Sequence, residues 1–98
     1  MASNKEYLDY VLDQLSGVEG ISYRAMMGEY LIYYRGKVIG GVYDNRFLIK
    51  PTEPAKRLMP DAAEELPYEG AKPMLLVDRM DDREFLSELI PAVGKELK

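Results

Sequence analysis

The side chains able to do chemistry in this sequence are almost all carboxylates and tyrosines. Histidine and cysteine are absent. A Ser-His-Asp or Cys-His arrangement therefore cannot be built from the chain, and neither a disulfide framework nor a thiolate metal site is available. A zinc site would have to be all carboxylate, an uncommon donor set. Adjacent acids stand at Glu64-Glu65 and Asp81-Asp82, but neighbouring positions on a helix do not face each other, so neither pair makes an acid/base dyad. Glu29 is the one acid inside a long apolar run, where burial would raise its pKa. A structural pair with Arg24 is the simpler expectation for it. Gly40-Gly41 lies between strand residues rather than ahead of a helix, so it is no phosphate loop. Catalysis, a cofactor and a metal are accordingly not expected. An enzyme or small-ligand reading would have to place Glu29 in a pocket.

Those residues need a scaffold, and the stretch from Tyr23 to Lys50 supplies its centre. Short β-branched and aromatic runs are cut there at Gly28, Arg35-Gly36-Lys37 and Asp44-Asn45-Arg46. That pattern predicts an antiparallel meander with strands at Ile21–Met26, Glu29–Arg35, Val38–Tyr43 and Phe47–Lys50. Tyr30-Leu31-Ile32-Tyr33-Tyr34 is apolar on both faces, as in a central covered strand. Two adjacent glycines, Gly40 and Gly41, imply close approach by something bulky, with neighbouring tyrosine rings or a helix as the first candidates. Met26 and Met27 cannot both face one side of a strand, so one of them points away from the core.

Helices are expected on both flanks. Ser3-Asn4-Lys5-Glu6 fits a capping box, Tyr7, Leu8, Val11, Leu12 and Leu15 form one apolar face, and Gly17 is placed to end the helix. After Pro51, Thr52 can cap a short helix with Pro54 in its first turn. Pro60 stops that helix, and Asp61 is expected to cap a further turn through Ala62, Ala63 and Leu66. Pro67-Tyr68-Glu69-Gly70 reads as a loop or short strand and Met74–Asp78 as the last strand. Asp81 and Glu84 suggest a second capping box, and the following helix buries Phe85, Leu86, Leu89, Ile90, Val93 and Leu97. Pro91 should kink or split it. The order predicts an α+β domain, two-layered, with an antiparallel meander sheet flanked by N- and C-terminal helices.

With 98 residues the chain is expected to be one domain, residues 1–98. No signal peptide is expected, since Met1 leads into polar Ser-Asn-Lys-Glu. No apolar run approaches a membrane span, so a cytoplasmic location is expected and no membrane partner. The net charge is −4 and the sequence pI about 4.8, which argues against non-specific nucleic-acid binding. The alternative of a direct nucleic-acid surface would use the eight tyrosines with Arg35, Lys37, Arg46 and Lys50. Arg35, Lys37 and Arg46 fall at turns, where charge is ordinarily a solvated hairpin tip, so direct DNA binding is disfavoured.

Arg24-Ala25-Met26-Met27-Gly28-Glu29-Tyr30, followed by Arg35-Gly36-Lys37, Gly40-Gly41, Asp44 and Lys50, resembles the N-terminal domain of the TfoX/Sxy family. Pro67-Tyr68 and the strand at Met74–Asp78 match its later part, so the resemblance spans almost the whole chain. It implies a two-layer α+β fold related to secretion-chaperone-like domains. It also implies a link to regulation of DNA uptake competence, in which members promote transcription together with the cyclic-AMP receptor protein rather than as ordinary DNA readers. Regulators of that kind carry a second, C-terminal domain, and this chain is expected to be a stand-alone version of the first. The motif carries no catalytic residue. The expected function is a non-enzymatic regulatory or adaptor domain that contacts another protein, one of the transcription machinery under this resemblance. Arg24, Met26, Met27, Gly28 and Glu29 are the expected interaction patch. A homodimer is a further expectation, because Leu31 and Tyr33 call for cover.

Overall fold

The computed structural model describes residues 4–97. The chain runs α1 (Lys5–Gln14), β1 (Ile21–Met26), β2 (Glu29–Tyr34), β3 (Lys37–Tyr43), β4 (Arg46–Ile49), α2 (Glu53–Leu58), β5 (Glu64–Glu65), β6 (Met74–Leu76) and α3 (Arg83–Glu96). The strands form one antiparallel sheet in the order β1-β2-β3-β4-β6-β5. This is the expected α+β architecture.

Each meander hairpin closes on two residues with positive φ: Met27-Gly28, Arg35-Gly36 and Asp44-Asn45. These are type I′ turns, whose twist matches that of the strands they join. One face of the sheet is covered. Ile32, Ile39, Val42, Phe47, Ile49, Leu75 and Val77 meet Leu8, Val11 and Leu15 of α1, Ala55 of α2, and Phe85, Leu86, Leu89, Ile90 and Val93 of α3. Most of these side chains are fully buried, and each one larger than Ala55 contributes roughly 1.5–3 kcal/mol of transfer free energy. The opposite face, called outer below, carries Leu31, Tyr33, Gly41, Tyr43 and Leu48, which alternate with the core residues along their strands.

Several local expectations need correction. The cap of α1 is Asn4, whose side chain accepts from the Tyr7 N–H at 2.8 Å. Glu6 is thus not at the third helical position that the capping box needs, and Ser3 lies outside the described residues. Gly17 does not end α1 in a left-handed conformation. Leu15 is the C-cap, and the left-handed glycine comes later, at Gly20. Residues 61–66 form no helical turn. Glu64–Glu65 instead pairs with Leu75 and Met74 as a short edge strand, its backbone groups satisfied by the sheet. The cap of α3 is Asp82 rather than Asp81, accepting from the Phe85 N–H at 3.0 Å and from Arg79 at 2.8 Å. That helix runs through Pro91 unsplit: the one missing backbone bond is outweighed by the buried side chains on either side of it. The Thr52 cap and the first-turn Pro54 stand as expected.

Candidate functional site

The β1–β2 hairpin tip is the most unusual place on the surface. Met27 holds φ at 51° and is 99% exposed. A left-handed conformation costs an L-residue with a bulky side chain about 1–2 kcal/mol, and Asn, Asp or Gly normally stands there. Neither burial nor backbone preference accounts for a methionine at this position.

The neighbouring strands explain where that tip is aimed. Glu29 opens β2, and its carboxylate accepts a hydrogen bond from the Asp44 N–H at 3.1 Å. The β1–β2 and β3–β4 tips are thereby tied side by side at one end of the sheet. On the far side of the second tip, the Asn45 side-chain oxygen accepts from the Asn4 N–H at 3.0 Å. Both tips are therefore fixed to the body of the domain.

Beside them a hollow of about 380 Å³ opens on the outer face, lined by Met26, Met27, Glu29, Tyr43 and Tyr68. Tyr43 forms its floor and is only 5% exposed. Its ring fits there because Gly41, two residues earlier on the same face, has no side chain: a Cβ at that position would sit 2.7 Å from the ring. Tyr68 stands over Tyr43 with ring centroids 6.3 Å apart and is 60% exposed. Burial pushes the Tyr43 phenol above the ordinary tyrosine value, with Tyr68 and then Glu29 adding to the shift, so its hydroxyl is a neutral donor at physiological pH. A second hollow of about 430 Å³ continues past the two tyrosines toward Val38, Met74, Lys50 and Lys72.

Tyr68 comes from the loop between β5 and β6, and Arg46 holds that loop in place. Its Nη1 donates to Glu65 Oε1 at 2.6 Å, its Nη2 to the Leu66 carbonyl at 3.2 Å, and its Nε to the Tyr43 carbonyl at 3.1 Å. One planar fork thus joins both sides of the hollow.

Three of the five expected patch residues, Met26, Met27 and Glu29, line this hollow. Gly28 contributes the second left-handed residue of the turn, with φ at 86°. Arg24 lies on the same outer face as Met26, one alternate position back along β1, but does not line the hollow. The partner shown for the Glu29 carboxylate is a backbone amide. Tyr43 and Tyr68 lie outside the expected interaction patch and enter the sequence reading only among the eight tyrosines of the nucleic-acid alternative. The one signal for Tyr43 was the Gly41-x-Tyr43 spacing, a small residue two positions from a large ring on the same face of a strand. The basic residues divide between the two ends of the sheet. Arg35, over the Tyr34 ring at 5.4 Å, and Lys37, donating to the Gly94 carbonyl at 3.3 Å, lie at one end. Lys50 follows β4 at that same end, and Arg46 stands at the other, among Tyr43, Glu65 and Leu66. Among the described residues no cluster of three or more metal-ligating side chains occurs, and no helix is long and apolar enough to cross a membrane.

The chain is 35% identical over 78 residues to a Spirochaeta aurantia protein described as an uncharacterized 12.7 kDa protein in the trpE 5' region, a match covering 80% of this chain and 68% of that one. No family model matches, and no solved structure matches. The chain belongs to the family of that spirochaete protein.

Proposed function

We propose that this member of the Spirochaeta aurantia protein's family is a non-enzymatic adaptor domain that binds another protein through the outer-face hollow, with Met27 as the leading contact. The observation that carries the reading is the pairing of strain and exposure at Met27. A residue that stabilises neither its turn nor its core is explained by something it touches outside the chain. Methionine suits that role because its thioether side chain adapts to irregular surfaces. Tyr43 and Tyr68 offer apolar area with polar tips, the composition typical of interface centres. Arg24 and Glu29 supply charge at the rim.

The resemblance to the TfoX/Sxy N-terminal domain supports a partner in the transcription machinery and a role in regulating DNA uptake competence, in the cytoplasm. Direct nucleic-acid binding is the weaker reading, because Arg46 has its nitrogens engaged at one end of the sheet while Arg35, Lys37 and Lys50 stand at the other. A small-ligand binder, or an enzyme, using Glu29 is the second reading, favoured by the size of the hollow, its apolar walls and the single carboxylate at its edge, which would accept from a donor group of the ligand.

The test is affinity capture of tagged wild-type and Met27→Asp protein from extract of the source cell, with and without nuclease, followed by titration of the purified partner. A protein retained after nuclease and lost with Met27→Asp supports the adaptor reading. Capture that vanishes with nuclease favours nucleic acid. Equal binding by the two variants removes Met27 from the interface.

A further inference from the structure

We infer that β1 is a dimerisation edge, where two copies of this chain join their sheets antiparallel about a two-fold axis through Tyr23. The sheet has two edges. The β5 edge is two acidic residues long and is too short and too charged to template a partner. The β1 edge is six residues long, and all but Ile21 are exposed. Among the described residues its only strand neighbour is β2.

The backbone phase of that edge is fixed. Met26 and Glu29 flank a two-residue turn, so they form a hydrogen-bonded pair, and such pairs alternate along an antiparallel ladder. Arg24 with Leu31 and Ser22 with Tyr33 are then the next bonded pairs. The Arg35 N–H donates to the Gly20 carbonyl at 2.8 Å, which is the following member of the same series. The N–H and C=O of Ile21, Tyr23 and Ala25 therefore point away from β2, into the free edge.

A second copy fits these groups. In a continuous antiparallel sheet outward-bonding residues must face one another, and placing Tyr23, the central one of the three, on the two-fold axis is the register that engages all three. In that register Tyr23 exchanges both bonds with Tyr23 of the other copy. Ile21 faces Ala25, and Ala25 faces Ile21. Arg24 falls opposite Ser22, so no like charges stand directly opposite each other. The side chains on the helix side of the joint are Ile21, Tyr23 and Ala25, all uncharged. Tyr23 is 44% exposed although its ring already packs edge-on against Tyr30 at 6.1 Å. A partner ring at the axis extends that contact. Because the axis is normal to the sheet, both outer faces stay on one side, and the dimer presents two Met27 hollows in the same direction. This joint is separate from the outer-face cover that Leu31 and Tyr33 suggested.

Sedimentation velocity of the full chain over micromolar to millimolar concentrations tests the inference. The expected result is a concentration-dependent dimer in which the Ile21, Tyr23 and Ala25 amides exchange with solvent more slowly as protein concentration rises. Ala25→Pro removes an outward donor without touching the β1–β2 ladder, as edge strands tolerate. The two-fold axis applies that loss twice, so the dissociation constant should rise at least about tenfold. Tyr23→Lys, which sets like charges face to face at the axis, should do the same while leaving the circular dichroism of the monomer unchanged. A wild-type chain that stays monomeric throughout leaves the edge to an extended segment of some other protein and overturns the proposal. So does a dimer that both variants form as tightly as wild type.

Discussion

Replacing Met27 with Asn should raise stability and abolish partner binding at once. At 99% exposure the methionine side chain has almost no burial to lose. Its φ of 51° is a conformation that asparagine adopts several-fold more readily than other non-glycine residues. The left-handed penalty of about 1–2 kcal/mol is partly relieved, and the net gain should be roughly 0.5–1 kcal/mol. In a domain of this size that is a rise in Tm of about 2–8 °C. Met27→Ala is the control: it removes the thioether and keeps the strained backbone, so Tm should stay within the small range of a neutral surface change. Differential scanning calorimetry of the three proteins gives the stability arm, and titration with the captured partner gives the binding arm. A lower Tm for Met27→Asn, or a clear loss for Met27→Ala, would show that the side chain stabilises the fold. The argument from strain to interface would then fail.

Three further outcomes follow from contacts elsewhere. Gly94 lies in the last turn of α3, where helix propensity favours alanine by at most about 1 kcal/mol, but the new Cβ would overlap the Tyr34 ring. Overpacking should win, and chemical denaturation should find Gly94→Ala less stable by about 1–3 kcal/mol; a stabilised variant would refute the contact. Arg46→Lys cannot reproduce a fork that meets Glu65, Leu66 and Tyr43 together. It should lower stability by about 1 kcal/mol and broaden the Tyr68 ring signals in NMR, whereas an unaltered Tyr68 would show that the loop is held by other means. The raised pKa of Tyr43 makes stability fall in alkali. The contribution is fully present below 10.0, the ordinary tyrosine value, and is lost as pH rises through the higher folded-state value. Tyr43→Phe should flatten that decline in urea midpoints, leaving the part due to Tyr7, whose phenol is also raised by burial; an unchanged slope would refute burial of the Tyr43 hydroxyl.

The architecture was legible because its signals are local. Alternation at Ile21–Met26, turn residues at Gly28, Gly36 and Asp44-Asn45, and helical spacing from Leu8 to Leu15 each fix geometry within a few residues. The misplacements were equally local: Asn4 for Ser3, Asp82 for Asp81, and Gly20 for Gly17. Two polar residues side by side can each cap a helix, and only the path of the preceding chain decides which one does. The strand at Glu64–Glu65 was invisible because its partner, Met74–Leu76, lies across a loop, and pairing rather than propensity makes it a strand.

The site divides along the same line. The Met26–Glu29 tip could be found because it interrupts a strand pattern, while Tyr43 and Tyr68 meet only after two hairpins and a loop have folded. That difference bears on what selection would see. A hollow assembled from three separate segments and locked by one arginine is a tertiary feature, so its binding should disappear under conditions that loosen the Arg46 fork before the sheet unfolds. The β1 edge needs only its own hairpin. Dimerisation through that edge, as proposed, should therefore survive the Arg46→Lys change that is expected to weaken the proposed partner contact; loss of both in Arg46→Lys would contradict their separation.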